Sequence, residues 1–126
     1  MAEYKGILNP VPKNRGGYEN FSTTEHKIGT WIDGRDIFEK TIDVDTFPNS
    51  TTKNVNHNIS NLDFIINKIA NGHLSSGVSI TLPYVGSSSG ATCDVFVNTT
   101  SVGIVARGGD FSAYSGWVTL QYVKTA

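Results

Sequence analysis

The apolar positions of this chain alternate in short runs and do not recur at helical spacing. Val78, Ile80 and Leu82 take every second place in Val78-Ser79-Ile80-Thr81-Leu82, and Val118, Leu120 and Tyr122 do the same between Trp117 and Lys124. A period of two puts each set on one face of a strand. Thr92 to Asn98 and Ser101 to Arg107 flank the polar turn Asn98-Thr99-Thr100-Ser101. They predict a hairpin in which Val95 and Val97 share a face with Val102, Ile104 and Ala106. Lys53 to Ile59 alternates more weakly, with Val55, His57 and Ile59 in one row, and His57 there reads as a hydrogen-bonded, half-buried side chain. Asn61 to Asn71 fits two patterns. Asp63 can cap a short helix that buries Phe64, Ile65, Ile66 and Ile69, or the run is a strand covered on both faces; the β-rich surroundings favour the strand.

The densest pattern is Thr30-Trp31-Ile32-Asp33-Gly34-Arg35-Asp36-Ile37-Phe38-Glu39-Lys40-Thr41. Asp33-Gly34 suits the positive φ values of a two-residue type I′ turn, so this is a predicted β-hairpin with Ile32 opposite Arg35 and Thr30 opposite Ile37. That register gathers Ile28, Ile32 and Ile37 on one face and Trp31, Phe38 and Ile42 on the other. Apolar weight on both sides predicts a hairpin covered on both, by a second sheet or by a neighbouring chain.

Together these elements predict an all-β chain of seven to eight short strands, a β-sandwich or jelly-roll-like domain, with a barrel as the alternative. The domain covers residues 18–126, which is ordinary for a chain of 126 residues. Residues 1–17 differ. Pro10 and Pro12 hold the backbone extended and unfit for a helix or a central strand, and Gly16-Gly17 makes a joint. Tyr4, Ile7, Leu8 and Val11 are too apolar for a solvated tail, so with Pro10 and Pro12 they predict an extended anchoring arm that docks on another protein.

Charge and chemistry narrow the function. The net charge is −1 and the ten Lys and Arg are scattered, which lacks the concentrated basic surface that nucleic acid or an anionic membrane requires. There is no run long and apolar enough to span a membrane and no signal-peptide core, so the expectation is a soluble protein made in the cytoplasm. Cys93 is alone and reads as a small buried thiol. Gly86-Ser87-Ser88-Ser89-Gly90 matches Gly-x-Ser-x-Gly, but it leads into a strand, not the helix a nucleophile at Ser88 needs. Asp33 has a turn role, and Glu25, Asp36, Glu39, Asp43 and Asp45 alternate with Lys, Arg and Thr, as solvated strand residues do, so the acids do not suggest a glycosidase pair. No metal-ligand spacing or cofactor motif is present, so the expectation is a non-enzyme without cofactors. Asp110, Phe111, Tyr114 and Trp117 combine a carboxylate with three aromatics around a loop and form the candidate ligand patch.

The stretch Phe21-Ser22-Thr23-Thr24-Glu25, the run Thr30-Trp31-Ile32-Asp33-Gly34, the Leu82-Pro83-Tyr84 segment and the ending Ser115-Gly116-Trp117-Val118-Thr119-Leu120-Gln121-Tyr122 together resemble a segment shared by bacteriophage virion proteins, tail-fibre tips and head fibres among them. Two positions depart from that pattern: Trp117 stands where tyrosine is usual, and Arg35-Asp36 where Lys-Pro is common. The resemblance implies location in the virion, on capsid or tail, and a trimeric homo-oligomer in which Trp31, Asp33, Gly34 and Phe38 form an oligomer or core hairpin. The expected role is a head fibre or capsid decoration protein docked on other virion proteins through its arm. The alternative is a tail receptor-binding tip that recognises a host surface glycan or protein.

Overall fold

The alternating carboxy-terminal run becomes the spine of the molecule. Strand β9 (Ser115–Lys124) pairs antiparallel with two strands at once, β2 (Asp36–Thr46) and β4 (Leu62–His73), and its alternate residues Val118, Leu120 and Tyr122 are fully buried. In this computed structural model, which describes residues 21–86 and 90–125, nine strands form two antiparallel sheets. The others are β1 (His26–Thr30), β3 (Thr52–Asn56), β5 (Ser79–Thr81), β6 (Tyr84–Val85), β7 (Thr92–Val97) and β8 (Ser101–Arg107). One sheet has the order β1-β2-β9-β4-β5 and the other β3-β8-β7-β6. The predicted arm residues Tyr4, Ile7, Leu8, Pro10, Val11 and Pro12, and Ser88 of the glycine-serine loop, lie outside the described residues.

A single core joins the two sheets. Ile42, Val44, Ala70, Ile80, Val118, Leu120 and Tyr122 from the first meet Cys93, Val95, Val102, Ile104 and Ala106 from the second, closed at the ends by Phe47, Ile59, Leu82 and Phe111. The fold is therefore the all-β sandwich expected from the alternation. Asn61–Asn71 resolves as strand, not helix, because β9 and β5 pair with its two edges. The second hairpin also forms as predicted, with Val97 opposite Val102 and Val95 opposite Ile104. The Asn98 side chain closes its turn by accepting the N–H groups of Thr100 and Ser101 at 2.9 and 2.8 Å.

Three lysines tie the sheets together across this core. Lys40 donates to the His57 carbonyl at 2.8 Å, Lys53 to those of Val44 and Thr46 at 2.8 Å each, and Lys68 to that of Val95 at 2.9 Å. Each alkyl stem can lie along apolar surface while its ammonium satisfies backbone acceptors of the opposite layer. His57 is more deeply buried than expected: only 1% is exposed, its Nδ1 accepts the Ile59 N–H at 3.1 Å, and Nε2 lies 2.9 Å from the Asn98 carbonyl.

The first hairpin departs from its predicted register. Gly34 has the expected positive φ of 94°, but its N–H bonds the Trp31 carbonyl while the Trp31 N–H bonds the Arg35 carbonyl. The turn is thus a three-residue loop, Ile32-Asp33-Gly34, with glycine in the left-handed position. Thr30 faces Asp36 and Gly29 faces Ile37, and a bulge at Ile28 then brings Lys27 opposite Phe38 and His26 opposite Glu39. The extra loop residue moves Ile32 out of the sheet to the tip, where it is 91% exposed. It also separates Trp31 from Phe38: the first packs edge-on against Phe64, the second stacks on Tyr122.

Two substitutions test the spine. Leu120→Ala should lower stability by about 2–5 kcal/mol through a cavity between the sheets. A Cβ on Gly116 would come within 1.9 Å of the Asn71 carbonyl oxygen, so Gly116→Ala should cost roughly 1–3 kcal/mol by forcing β4 and β9 apart. Urea unfolding midpoints measure both, and an unchanged midpoint for Gly116→Ala would refute the close approach.

Candidate functional site

The residues of the β9 strand that point away from the core begin the outer face of the five-stranded sheet. Trp117 has Asp43 and Asn71 as cross-strand neighbours, Thr119 has Thr41 and Ile69, and Gln121 has Glu39 and Asn67. Thr41 and Thr119 share a hydroxyl hydrogen bond of 2.9 Å. The segment before β1 passes alongside, its Ser22 carbonyl accepting the Thr41 N–H at 2.8 Å. Phe21, Ser22 and Thr23 thereby wall a groove of about 600 Å³ whose other side is Trp117, Thr41 and Thr119. Around it Phe21, Trp117 and Ile69 are 61%, 46% and 39% exposed, a large apolar surface to leave in water.

Next along the face is a polar row. Gln121 donates to Glu39 Oε2 at 2.9 Å and accepts from Asn67 at 3.4 Å. Glu39 is only 1% exposed, and its Oε1 lies 3.3 Å from His26 Nε2 without hydrogen-bond alignment. His26 is oriented from its other nitrogen, 3.1 Å from the Thr24 carbonyl.

The far end of the face holds the hairpin. Arg35 is clamped by Asp33 Oδ2 at 2.8 Å, by Asp63 at 2.7 Å and by the Lys124 carbonyl at 2.8 Å, and it lies over the Phe64 ring at 5.6 Å. The Arg35 N–H bonds Asp33 Oδ1 at 3.0 Å. That backbone bond, then the guanidinium, hold the Asp33 carboxyl below its ordinary range against slight desolvation. Asp33 is thus a turn residue, as its place before Gly34 implied. Trp31 closes the cluster with its ring centroid 5.9 Å from that of Phe64.

On the inner side of the same sheet, Glu25 accepts the Tyr122 hydroxyl at 2.6 Å and the Lys124 ammonium at 2.8 Å. Burial by itself raises the Glu25 carboxyl, but the bonds from Lys124 and Tyr122 outweigh it and hold the group below its usual value. Burial, and then the Glu25 bond and charge, push the Tyr122 phenol up. Phe38 lies between, stacked on Tyr122 and 5.1 Å from the Lys124 ammonium.

The carboxy-terminal loop does not present the expected ligand patch as a unit. Phe111 is 5% exposed and packs between Tyr84 and Tyr114, because it caps the open end of the core. Asp110 is exposed but turns inward to accept the Ser112 N–H at 2.8 Å. The Ser112 bonds hold its carboxyl low. Tyr114 is half-buried against Phe111, and Trp117 stands apart on the outer face of the sheet. Only the pairing of outward β9 residues with β2 and β4 makes Trp117 part of a surface, and that pairing is not visible in a single strand's alternation.

Burial, reinforced by the Asp94 charge, pushes the Cys93 thiol up to about 11, which leaves it inert as a nucleophile. Among the described residues no three His, Cys, Asp or Glu side chains converge as a metal site would need. No helix there is long and apolar enough to cross a membrane. Set against protein-family models, curated proteins and solved structures, the chain gives no match.

The Glu25 cluster carries a pH prediction. Because the folded carboxyl is held below its ordinary value of 4.5, its bonds add stability above that pH, and this is lost as the pH falls through the folded value. Thermal melts from pH 7 down to pH 3 should show a loss in the parent protein that is smaller in Glu25→Gln. Parallel curves would mean that the carboxylate contributes nothing.

Proposed function

We propose that this chain is a non-enzymatic structural protein of a bacteriophage particle, of head-fibre or capsid-decoration type. Residues 1–17 serve as the anchor, and the β-sandwich is displayed as a homo-oligomer, a trimer on the phage resemblance. The single observation that carries the oligomer is the outer face of β1-β2-β9-β4-β5, where Trp117, Ile69, Phe64 and Phe21 are open to solvent. A sheet with one wet face normally turns polar residues to water. Apolar side chains spread over both ends of such a face suit a closed symmetric interface, in which the same patch is buried on every copy. The row of Glu39, Gln121 and Asn67 between them, joined by side-chain hydrogen bonds, would give such an interface directional polar contacts that fix its register.

Location on a particle is supported by the resemblance of Thr30-Trp31-Ile32-Asp33-Gly34 and Ser115-Gly116-Trp117-Val118-Thr119 to virion proteins. A tail receptor-binding tip is the second reading. What favours it is an aromatic platform on the opposite sheet, the part-exposed ring of Phe96 lying over Gly103.

Two measurements test the assignment. In sedimentation equilibrium the parent chain should be oligomeric and Trp117→Asp monomeric at the same concentration; a monomeric parent would remove the oligomer. Deletion of residues 1–17 should leave a folded protein that no longer joins particles in a reconstitution assay. Loss of folding would instead make those residues part of the domain.

A further inference from the structure

The outer face of the four-stranded sheet has a different character. The register β3-β8-β7 places Asn54, Gly103 and Phe96 in one row, Thr52, Val105 and Asp94 in the next, and Arg107 and Thr92 in a third. Gly103 leaves a trough that Phe96 fills: a Cβ at Gly103 would meet the Phe96 ring at 2.0 Å. The ring therefore lies across strand β8 and does not stand upright on the sheet, and it remains 39% exposed. A groove of about 610 Å³ runs from it past Thr52, Asp94, Val105 and Arg107 to Val85.

The charges along this groove are arranged in sequence. Arg107 takes part in none of the ion pairs among the described residues, which leaves its guanidinium available. Asp94, in the middle row, uses Oδ1 to accept the Val95 N–H at 2.7 Å, and its second oxygen accepts no hydrogen bond among the described residues. Arg107 is four residues along β8 from Gly103, roughly 13 Å at about 3.3 Å per residue. That is longer than one sugar ring, so platform and cation would touch different units of an extended ligand.

We propose that this face binds an oligosaccharide carrying a single terminal carboxylated sugar. A neutral ring lies on Phe96, the hydroxyls of the next unit bond Asp94 and Thr52, and the terminal carboxylate sits on Arg107. Aromatic faces supply contact area to the apolar side of a sugar at small entropy cost. A guanidinium matches a carboxylate with two parallel bonds. Asp94 between them sets the charge order, since a saccharide with an acid on every unit would bring like charges together. This deepens the receptor-binding reading by giving it a site and a ligand class, but it rests on the geometry of this sheet and holds wherever the particle carries the protein.

The test is a titration of the full chain with 3′-sialyllactose, followed by amide NMR shifts of β7 and β8. Its methyl ester, lactose, trigalacturonate and acetate serve as comparisons, and particle location does not enter. Saturable shifts around Asp94, Phe96 and Arg107 are expected. Arg107→Gln and the methyl ester should each weaken binding by about tenfold, the worth of one charge-assisted contact. Phe96→Ala should weaken it by a similar factor, and trigalacturonate should bind less tightly than sialyllactose. Both variants are at the surface, and unfolding midpoints equal to the parent's establish that they are folded. Absence of saturable binding, affinity unchanged in Arg107→Gln, or displacement by equimolar acetate would each overturn the proposal.

Discussion

Everything in this fold depends on β9 being paired along both edges. A strand hydrogen-bonded to β2 on one side and β4 on the other has no free edge, and its inward row of Val118, Leu120 and Tyr122 sits where the two sheets meet. Full burial of three such side chains contributes on the order of 1.5–3 kcal/mol each, comparable in sum to the whole margin of a small domain. The glycine at its start allows β4 to come close. The tyrosine near its end carries the hydroxyl that Glu25 binds. One strand thus couples the core, the sheet register and the segment preceding β1.

Polar groups then decide how the layers are locked. Lys40, Lys53 and Lys68 reach across to carbonyls of the facing layer, and His57 satisfies two backbone groups at the end of β3. These bonds add direction to a hydrophobic contact that has none of its own. The Arg35 clamp does the same for the hairpin: with Asp33, Asp63 and the Lys124 carbonyl around it, the tip is held although Ile32 is open to water.

The two outer faces are chemically distinct. One carries Trp117, Ile69, Phe64 and Phe21 around a polar row that runs from buried Glu39 through half-buried Gln121 to exposed Asn67, and is the face of the proposed interface. The other carries Phe96 flat in a glycine trough between Asn54, Asp94 and Arg107, a surface of small polar groups around an aromatic plane. A sandwich offers such a division at no structural expense, because its core consumes only the inward residues of each sheet. Display of one face while the other is buried between copies is how the proposed assembly and the proposed saccharide site coexist.

Alternation alone determined that this chain is all-β and which residues of the second hairpin and of β9 share a face, because a period of two is a local property of the backbone. That the strands close as two facing sheets and not as a barrel was decided by their pairing. Asp33-Gly34 likewise marked a turn, since glycine tolerates the positive φ found there. Loop length was not legible: two and three residues are both compatible with Asp-Gly, and the difference shifted the register, exposed Ile32 and parted Trp31 from Phe38. Surfaces were legible least of all. Phe111 and Trp117 look alike as loop-flanking aromatics, yet one is in the core and the other on the outer face. Phe96 and Arg107 attracted no notice because their row exists only after β7 pairs with β8. Sites of this kind are made by residues brought side by side across strands, and that adjacency is decided by tertiary pairing, which no single segment encodes.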